Sequence, residues 1–127
     1  MSFEEALKIE LAAVAGLKNK VYPVDAPQSV KPPYLTYESN DLLELKTHDG
    51  YGDHGNLECT LEVMESTYAK MKALGGLVKA KIKSFQSRSI GTTGPYIQNV
   101  TIADLSPEMY EPNVDLYRKS ITFTVFF

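Results

Sequence analysis

The sequence lacks several features that would assign it to a specialised class of protein. It has a single cysteine, Cys59, in 127 residues, so no disulfide can form within the chain. No segment approaches the ~20 apolar residues of a membrane-spanning helix. The N-terminal stretch carries Glu4 and Glu5 instead of the basic residues that begin a secretory signal. We therefore expect one globular domain of an intracellular protein, located in the cytoplasm of a cell or host.

Acidic residues are missing from one long segment, which makes the charge uneven along the chain. Residues 66–103 contain no Asp or Glu but six Lys and Arg residues. Residues 1–65 hold 12 acids and 5 bases, a net charge of −7. The whole chain carries −3, which argues against a general nucleic-acid binder.

Hydrophobic periodicity predicts an α+β domain with the element order α-β-β-β-α-β-β. A first helix is predicted over residues 3–15, followed by Gly16 as its C-terminal glycine. A second helix is predicted to begin at Ser66 or Thr67 and to carry an apolar stripe as far as Phe85. The predicted strands are residues 21–24, 34–38, 57–65, 96–102 and 116–127, and the predicted long loops are residues 39–55 and 104–115.

Two of these strands indicate how the sheet is packed. Residues 57–65 and 116–127 alternate between apolar and polar side chains, as strands with one buried and one solvent-facing side do. We therefore expect a mixed, mainly antiparallel sheet packed on one face by two helices. Cys59 falls on the apolar phase of its strand, and we expect it to be a buried, unreactive thiol.

One group of residues has side chains that could bind a metal ion: His48, Asp49, Asp53 and His54. Imidazole and carboxylate groups together suit a divalent transition metal, but their spacing fits no standard zinc pattern. The alternative is a solvated acidic loop. The sequence contains no phosphate-binding loop, no G-x-S-x-G element and no H-E-x-x-H element, so we predict no catalytic residue and no cofactor.

The second predicted helix carries lysines on both sides of its apolar stripe: Lys70, Lys72, Lys79, Lys81 and Lys83. One interpretation is a solvated amphipathic helix that lies on the sheet. The other is a subunit contact, in which a basic surface of residues 66–88 meets an acidic surface of residues 38–65, including Asp41 and Glu44, of a neighbouring copy. A head-to-tail contact of this kind uses two different surfaces of each subunit and can close into a ring.

The order of motifs along the chain resembles a family of phage proteins. After the first helix come Lys20-Val21-Tyr22-Pro23 and Pro33-Tyr34-Leu35-Thr36-Tyr37, then a polar loop, an alternating strand, a lysine-rich helix and two strands. Over nearly the whole chain this arrangement resembles the tail completion, or tail terminator, proteins of long-tailed bacteriophages and related prophages.

The resemblance implies an α/β fold with helices against a sheet and no catalysed reaction. Such proteins are often monomers in solution and form a hexameric ring at the end of the tail tube. There they stop tube growth and join the tail to the head connector. The implied partners are other copies of the chain, the tail tube protein and a head connector or head-closure protein. DNA would pass through without sequence-specific binding, and no membrane is involved. The implied locations are the virion and, during assembly, the host cytoplasm.

The predicted loop over residues 39–55 is a candidate to project from such a ring toward a neighbour or the lumen. At its centre lies the run Asp49-Gly50-Tyr51-Gly52-Asp53. Together with Asp41 and Glu44, these aspartates make the loop acidic, and negative charge repels DNA phosphate. We therefore expect the loop to help the genome slide past.

Three other interpretations stay open. The first is another head-tail connector or tail component, such as a head-closure protein, a tail tube subunit or a minor tail protein. The second is a small-molecule or metal-binding domain that uses the loop over residues 39–55. The third is a bacterial housekeeping domain of similar layout and unrelated role.

Overall fold

The structure is a computed structural model of the chain. It describes residues 2–14, 16–24, 26, 30–47, 50–103, 108–113 and 115–127, and of residues 41–47 and 50–54 it describes the backbone. The elements in chain order are α1 (Phe3–Ala12), β1 (Val21–Pro23), β2 (Tyr34–Thr47), β3 (Gly50–Glu65), α2 (Tyr68–Lys83), β4 (Arg88–Ser89), β5 (Tyr96–Ile97), β6 (Asn99–Ala103), β7 (Glu108–Glu111) and β8 (Leu116–Phe126). Neither α1 nor α2, the helices of this described part, is long and apolar enough to cross a membrane.

Six of the described strands form the main sheet, in the spatial order β1-β2-β3-β8-β6, with β7 also paired to β8. The short edge strand β1 runs parallel to β2, and the other pairs of this sheet are antiparallel. Strands β4 and β5 form a separate two-stranded sheet. The predicted α+β class with a mixed, mainly antiparallel sheet is confirmed.

The core lies between one face of the sheet and the two helices. On β3 the alternation places Cys59 and Leu61 on the inner face, opposite Phe123 and Ile121 of β8, and all four are fully buried. Buried residues of both helices belong to the same apolar cluster. Both helices therefore pack on one side of the sheet, as the alternating strands predict.

The first helix begins as predicted and ends earlier. Ser2 and Glu5 form a capping box: the Glu5 amide donates to Ser2 Oγ at 3.2 Å, and the Ser2 amide donates to Glu5 Oε2. The helix ends at Ala12 instead of residue 15, because successive turns there carry Val14 and Leu17 into the core.

The prediction of a loop over residues 39–55 is wrong for residues 39–47 and 50–55, which belong to the paired strands β2 and β3; residues 48 and 49 lie outside the described part of the chain. The glycines and acidic residues of this segment are typical of a loop. Those that the structure describes are nevertheless part of the β2–β3 ladder, which contains two register shifts, between Asp41 and Leu43 and between Glu44 and Lys46. Such irregularities accommodate extra residues and glycines without ending the pairing.

Two smaller differences concern the C-terminal third. The predicted loop over residues 104–115 contains β7, a four-residue strand with little periodicity of its own that is held by its pairing with β8. The predicted strand over residues 96–102 is divided at Gln98 into β5 and β6, which join different sheets. The Gln98 amide donates to the Phe126 carbonyl at 2.7 Å, where the chain passes from one sheet to the other.

Candidate functional site

Helix α2 presents the predicted lysines on its outer surface. Thr67 caps the helix by accepting a hydrogen bond from the Lys70 amide at 3.2 Å. The buried residues Met71, Leu74, Gly75, Val78 and Ile82 face the sheet. Because an α-helix repeats every 3.6 residues, the lysines fall on two flanks of the outer surface. One flank carries Lys72, Lys79 and Lys83, and the other carries Lys70 and Lys81.

Two basic residues of this region are held by carboxylates of the same molecule. Lys72 Nζ lies 2.7 Å from Glu108 Oε1 and 5.6 Å from the centre of the Tyr68 ring. The hydrogen bond between Lys72 and Glu108 raises the pKa of Lys72 and lowers the pKa of Glu108. Arg88 donates a hydrogen bond to Glu10 of α1. The charges of Lys72 and Arg88 are therefore compensated within the molecule.

Between its lysines, α2 exposes small side chains and one large apolar one. The exposed small residues are Ala69, Ala73, Gly76, Ala80 and Ser84. A Cβ added at Gly76 would meet nothing within 4 Å, and Leu77 is 51% exposed. Within the described part of the chain, Lys70, Lys81 and Lys83 have no ion-pair partner. We call this outer surface of α2, from Ala69 to Ser84, the basic helix face.

The side of the sheet opposite the helices is the second uncovered surface. It consists of the polar positions Glu38, Glu58, Thr60, Glu62, Ser120, Thr122 and Thr124, and we call it the open sheet face. Thr60 lies at its centre, paired with Glu38 on one side and with Thr122 on the other. The hydroxyl oxygens of Thr60 and Thr122 are 3.3 Å apart. No helix of the described chain packs on this side.

Arg118 compensates part of the negative charge near this face. Its guanidinium lies 3.6 Å from Glu62 and 3.0 Å from Glu111. Glu38 and Glu58 have no ion-pair partner among the described residues. The open sheet face therefore carries uncompensated negative charge, whereas the basic helix face carries uncompensated positive charge.

A groove at one end of the open sheet face is partly apolar. It is lined by Val24, Tyr34, Thr36, Glu62, Met64, Glu111, Asn113 and Arg118. Val24 is 72% exposed and has a φ of 62°, a conformation that is rare for a β-branched residue. Its amide donates to the Tyr37 carbonyl at 2.8 Å. Strained residues of this kind cluster at binding and switch sites, so Val24 marks the groove as a candidate contact.

Strands β2 and β3 extend beyond the rest of the sheet as a two-stranded hairpin arm, residues 43–47 and 50–55. Strand β8 accompanies β3 only as far as the pair Asn56 and Phe126, while the β2–β3 ladder continues to Thr47 and Gly50. No other described strand pairs with the arm. A two-stranded ribbon is marginally stable alone in water.

The predicted loop residues fall on or next to this arm. Asp41 and Glu44 lie on β2, and Gly50, Tyr51, Gly52, Asp53 and His54 lie on β3. The side chains of these residues, and His48 and Asp49 altogether, lie outside the described part of the chain. The hypothesis that Asp41 and Glu44 pair with lysines of a neighbouring copy therefore stays a hypothesis, and the metal site at His48, Asp49, Asp53 and His54 stays an open alternative.

The described side chains form no metal site and no reactive thiol. Where side chains are described, no three His, Cys, Asp or Glu residues gather closely enough to hold a metal ion. Cys59 is fully buried, and burial raises the pKa of its thiol to about 12. The expectation of a buried thiol is confirmed, and a thiol with this pKa is protonated and unreactive at neutral pH.

The sequence indicates the basic helix face and an acidic segment over residues 38–65, but not which of those acids share one surface. In β3, Glu58 and Glu62 occupy the polar phase of the alternation. That Glu38 joins them follows from the β2–β3 register. The exposed position of Val24 follows from its backbone conformation, which no motif in the sequence indicates.

Comparison with known proteins gives a likeness among solved structures. No protein-family model matches the sequence, and no curated protein matches it significantly. Among solved structures, a chain described as "Virion of native gene transfer agent (GTA) particle" matches with a TM-score of 0.71 and 14% sequence identity. The match covers 98% of this chain and 92% of that chain. At this identity the likeness shows a shared fold.

Proposed function

We propose that the chain is a structural virion protein that caps the tube of a phage tail and joins the tail to the head connector, acting as a ring. The observation that carries this proposal is the fold, which matches a chain of a gene transfer agent virion over nearly its whole length. The order of motifs along the sequence supports the same function, because it resembles that of the tail completion proteins.

Two features of the structure fit a subunit that works by contact. A sheet covered by helices on one side leaves its other side to water or to a partner, and here that side carries the uncompensated charges of Glu38 and Glu58. The hairpin arm projects past the end of β8. Such a ribbon gains stability when it packs against a neighbouring subunit, a tube end or a connector.

The arm and its flanks also carry the charge expected of a surface that DNA must pass. The sequence of this region contains Asp41, Glu44, Asp49 and Asp53, and clustered negative charge repels phosphate. Reversing these four charges to lysine should slow DNA passage and lower infectivity, while replacement by Asn or Gln should have a smaller effect. Unchanged infectivity of the lysine variant would count against a position facing the DNA path.

The capping function is tested by adding the purified protein to tail tubes and viewing them by electron microscopy. We expect a ring at one end of each tube and no further growth at that end when tube protein is added. The protein alone should not form long tubes. If it does form tubes, it is a tube subunit. If it binds head connectors but leaves tube ends growing, it is a head-closure protein.

A further inference from the structure

We infer that the basic helix face of one copy binds the open sheet face of the next copy, and that this contact joins the subunits of the assembly. The inference rests on the proposed function, because it takes a second copy of the chain as the partner. Within the predicted acidic segment, residues 38–65, it assigns the acidic side of the contact to the open sheet face instead of to Asp41 and Glu44.

The charges of the two faces are complementary and available. Lys70, Lys81 and Lys83 have no carboxylate partner within the described chain, and neither Glu38 nor Glu58 has a basic one. Complementary surfaces steer encounter and fix the register between partners. Each face meets on the other the counter-charge that its own molecule does not supply.

The spacing of the charges also agrees. Lys70 and Lys81 lie on one flank of α2, eleven residues and about 16 Å apart along the helix axis. Glu58 and Glu62 lie on the same side of β3, four residues and about 14 Å apart along the strand. A helix laid along β3 therefore brings one lysine near the uncompensated Glu58 and the other near Glu62, which it would share with Arg118.

Each face also has an apolar element that fits the other. Leu77, which lies between Lys70 and Lys81 on the helix flank, is half exposed. The groove next to Glu62 is lined in part by Val24 and Met64. The small side chains around Gly76 allow the backbone of α2 to approach the sheet closely. Exposed apolar groups such as Leu77 and Val24 are thereby removed from water.

The signs of the charges determine the symmetry of the contact. A two-fold dimer formed through either face would bring like charges together, which is unfavourable. The two faces lie on opposite sides of the molecule, one on the helix layer and the other on the sheet layer. A contact between them is therefore head-to-tail, and it closes into a ring or continues as a filament, depending on the angle between subunits.

The test is a pair of charge-reversed variants, studied separately and mixed. The helix variant is Lys70→Glu with Lys81→Glu, and the sheet variant is Glu38→Lys with Glu58→Lys, which leaves Glu62 on Arg118. Each variant alone brings like charges together and should lose self-association by at least about tenfold. An equimolar mixture should restore it, because every contact in an alternating assembly is again between opposite charges.

Sedimentation velocity at low ionic strength, with and without tail tubes, measures the association. Circular dichroism confirms that each variant is folded. The matched control is Lys8→Glu with Lys18→Glu, which changes the net charge equally at exposed positions away from α2. It should associate like the wild type.

The outcomes separate the interface from the proposed function. If the mixture stays dissociated, or if the wild type never associates even on tube ends, the interface is wrong. The interface is also wrong if duplex DNA binds the wild type and not the helix variant while no self-association occurs. If the helix variant and the sheet variant each still form rings that cap tubes, the proposed function stands and the interface is wrong. If the mixture of the two variants assembles again but caps no tubes, the interface stands and the proposed function is wrong.

Discussion

Gly94 is a position at which the fold leaves no room for a side chain. A Cβ there would lie 2.2 Å from the Ile90 carbonyl oxygen and 2.6 Å from Ala6 Cβ. The Gly94 amide donates to the same carbonyl at 3.0 Å, so neither group can move away freely. We expect Gly94→Ala to lower the free energy of unfolding by about 1–3 kcal/mol, the usual effect of overpacking, as measured by urea denaturation.

Gly76→Ala is the matched control, since a Cβ at Gly76 would meet nothing within 4 Å. An exposed glycine inside a helix costs about 1 kcal/mol relative to alanine. The control should therefore raise the free energy of unfolding by a similar amount. Gly94→Ala with wild-type stability would show that the turn at residues 90–95 differs from the one described.

Cys59 should make the stability of the protein depend on pH in the alkaline range. Burial raises the pKa of its thiol from 9.0 to about 12. At a pH below both pKa values, the thiol is protonated in the folded and in the unfolded protein, and its contribution to stability is complete. At a pH between the two pKa values, only the unfolded chain loses the proton. The free energy of unfolding therefore falls as pH rises, by at most about 1.4 kcal/mol per pH unit.

This fall is measured as a difference, so that other titrating groups cancel. The free energy of unfolding of the wild type minus that of Cys59→Ala should be constant below about pH 8 and should decrease above about pH 9. A difference that stays flat up to about pH 11 would show that the thiol reaches water in the folded protein.

At the scale of elements, the sequence correctly predicted the features that depend on residues close together in the chain. The capping box of Ser2 and Glu5 fixes the start of α1, and the alternation around Cys59 fixes which side of β3 is buried. Strand β7 could not be predicted because its pairing with β8 is a tertiary contact. The hairpin arm was also missed, since Gly50 and its neighbouring glycines tolerate both loops and irregular ladders.

The same contrast between local features and long-range contacts applies to the candidate site. The lysines of the basic helix face follow from the 3.6-residue period of one continuous segment. The open sheet face combines Glu38 of β2 with Glu58 of β3, and only the strand register brings these residues together. Residues from separate segments can be assigned to one surface only when their pairing is known.

Removing the hairpin arm tests whether that element serves stability or assembly. We replace residues 45–54 with Asn-Gly, so that Glu44 and Gly55, which pair in the ladder, close a two-residue turn. The core lies elsewhere, so the melting temperature should change little. Binding to tail tube ends should be lost.

The melting temperature is read by circular dichroism, and binding is read by electron microscopy. A variant in which only Asp53 and His54 are replaced by alanine keeps the length of the arm and serves as the control. Collapse of the truncated protein would show that the arm is part of the folding unit. Undiminished capping would place the tube contact elsewhere.

At the scale of the whole molecule, the two-layer fold separates charge. The helix layer carries uncompensated lysines on its outer side, and the sheet layer carries uncompensated glutamates on the opposite side. Raising the salt concentration from about 0.15 M to about 1 M shortens the screening length from about 8 Å to about 3 Å. Attraction and repulsion between copies should both weaken.

The direction of the salt effect should therefore depend on the variant. Self-association of the wild type and of the Lys8 and Lys18 control should fall by at least about tenfold over that range. The helix variant and the sheet variant, each alone, should associate somewhat better in high salt, because salt screens the repulsion between like faces while the apolar contacts of Leu77 persist. Sedimentation velocity across a salt series measures this. If all four proteins respond to salt in the same direction, charge does not choose the partner face, and the head-to-tail contact must then depend on shape alone.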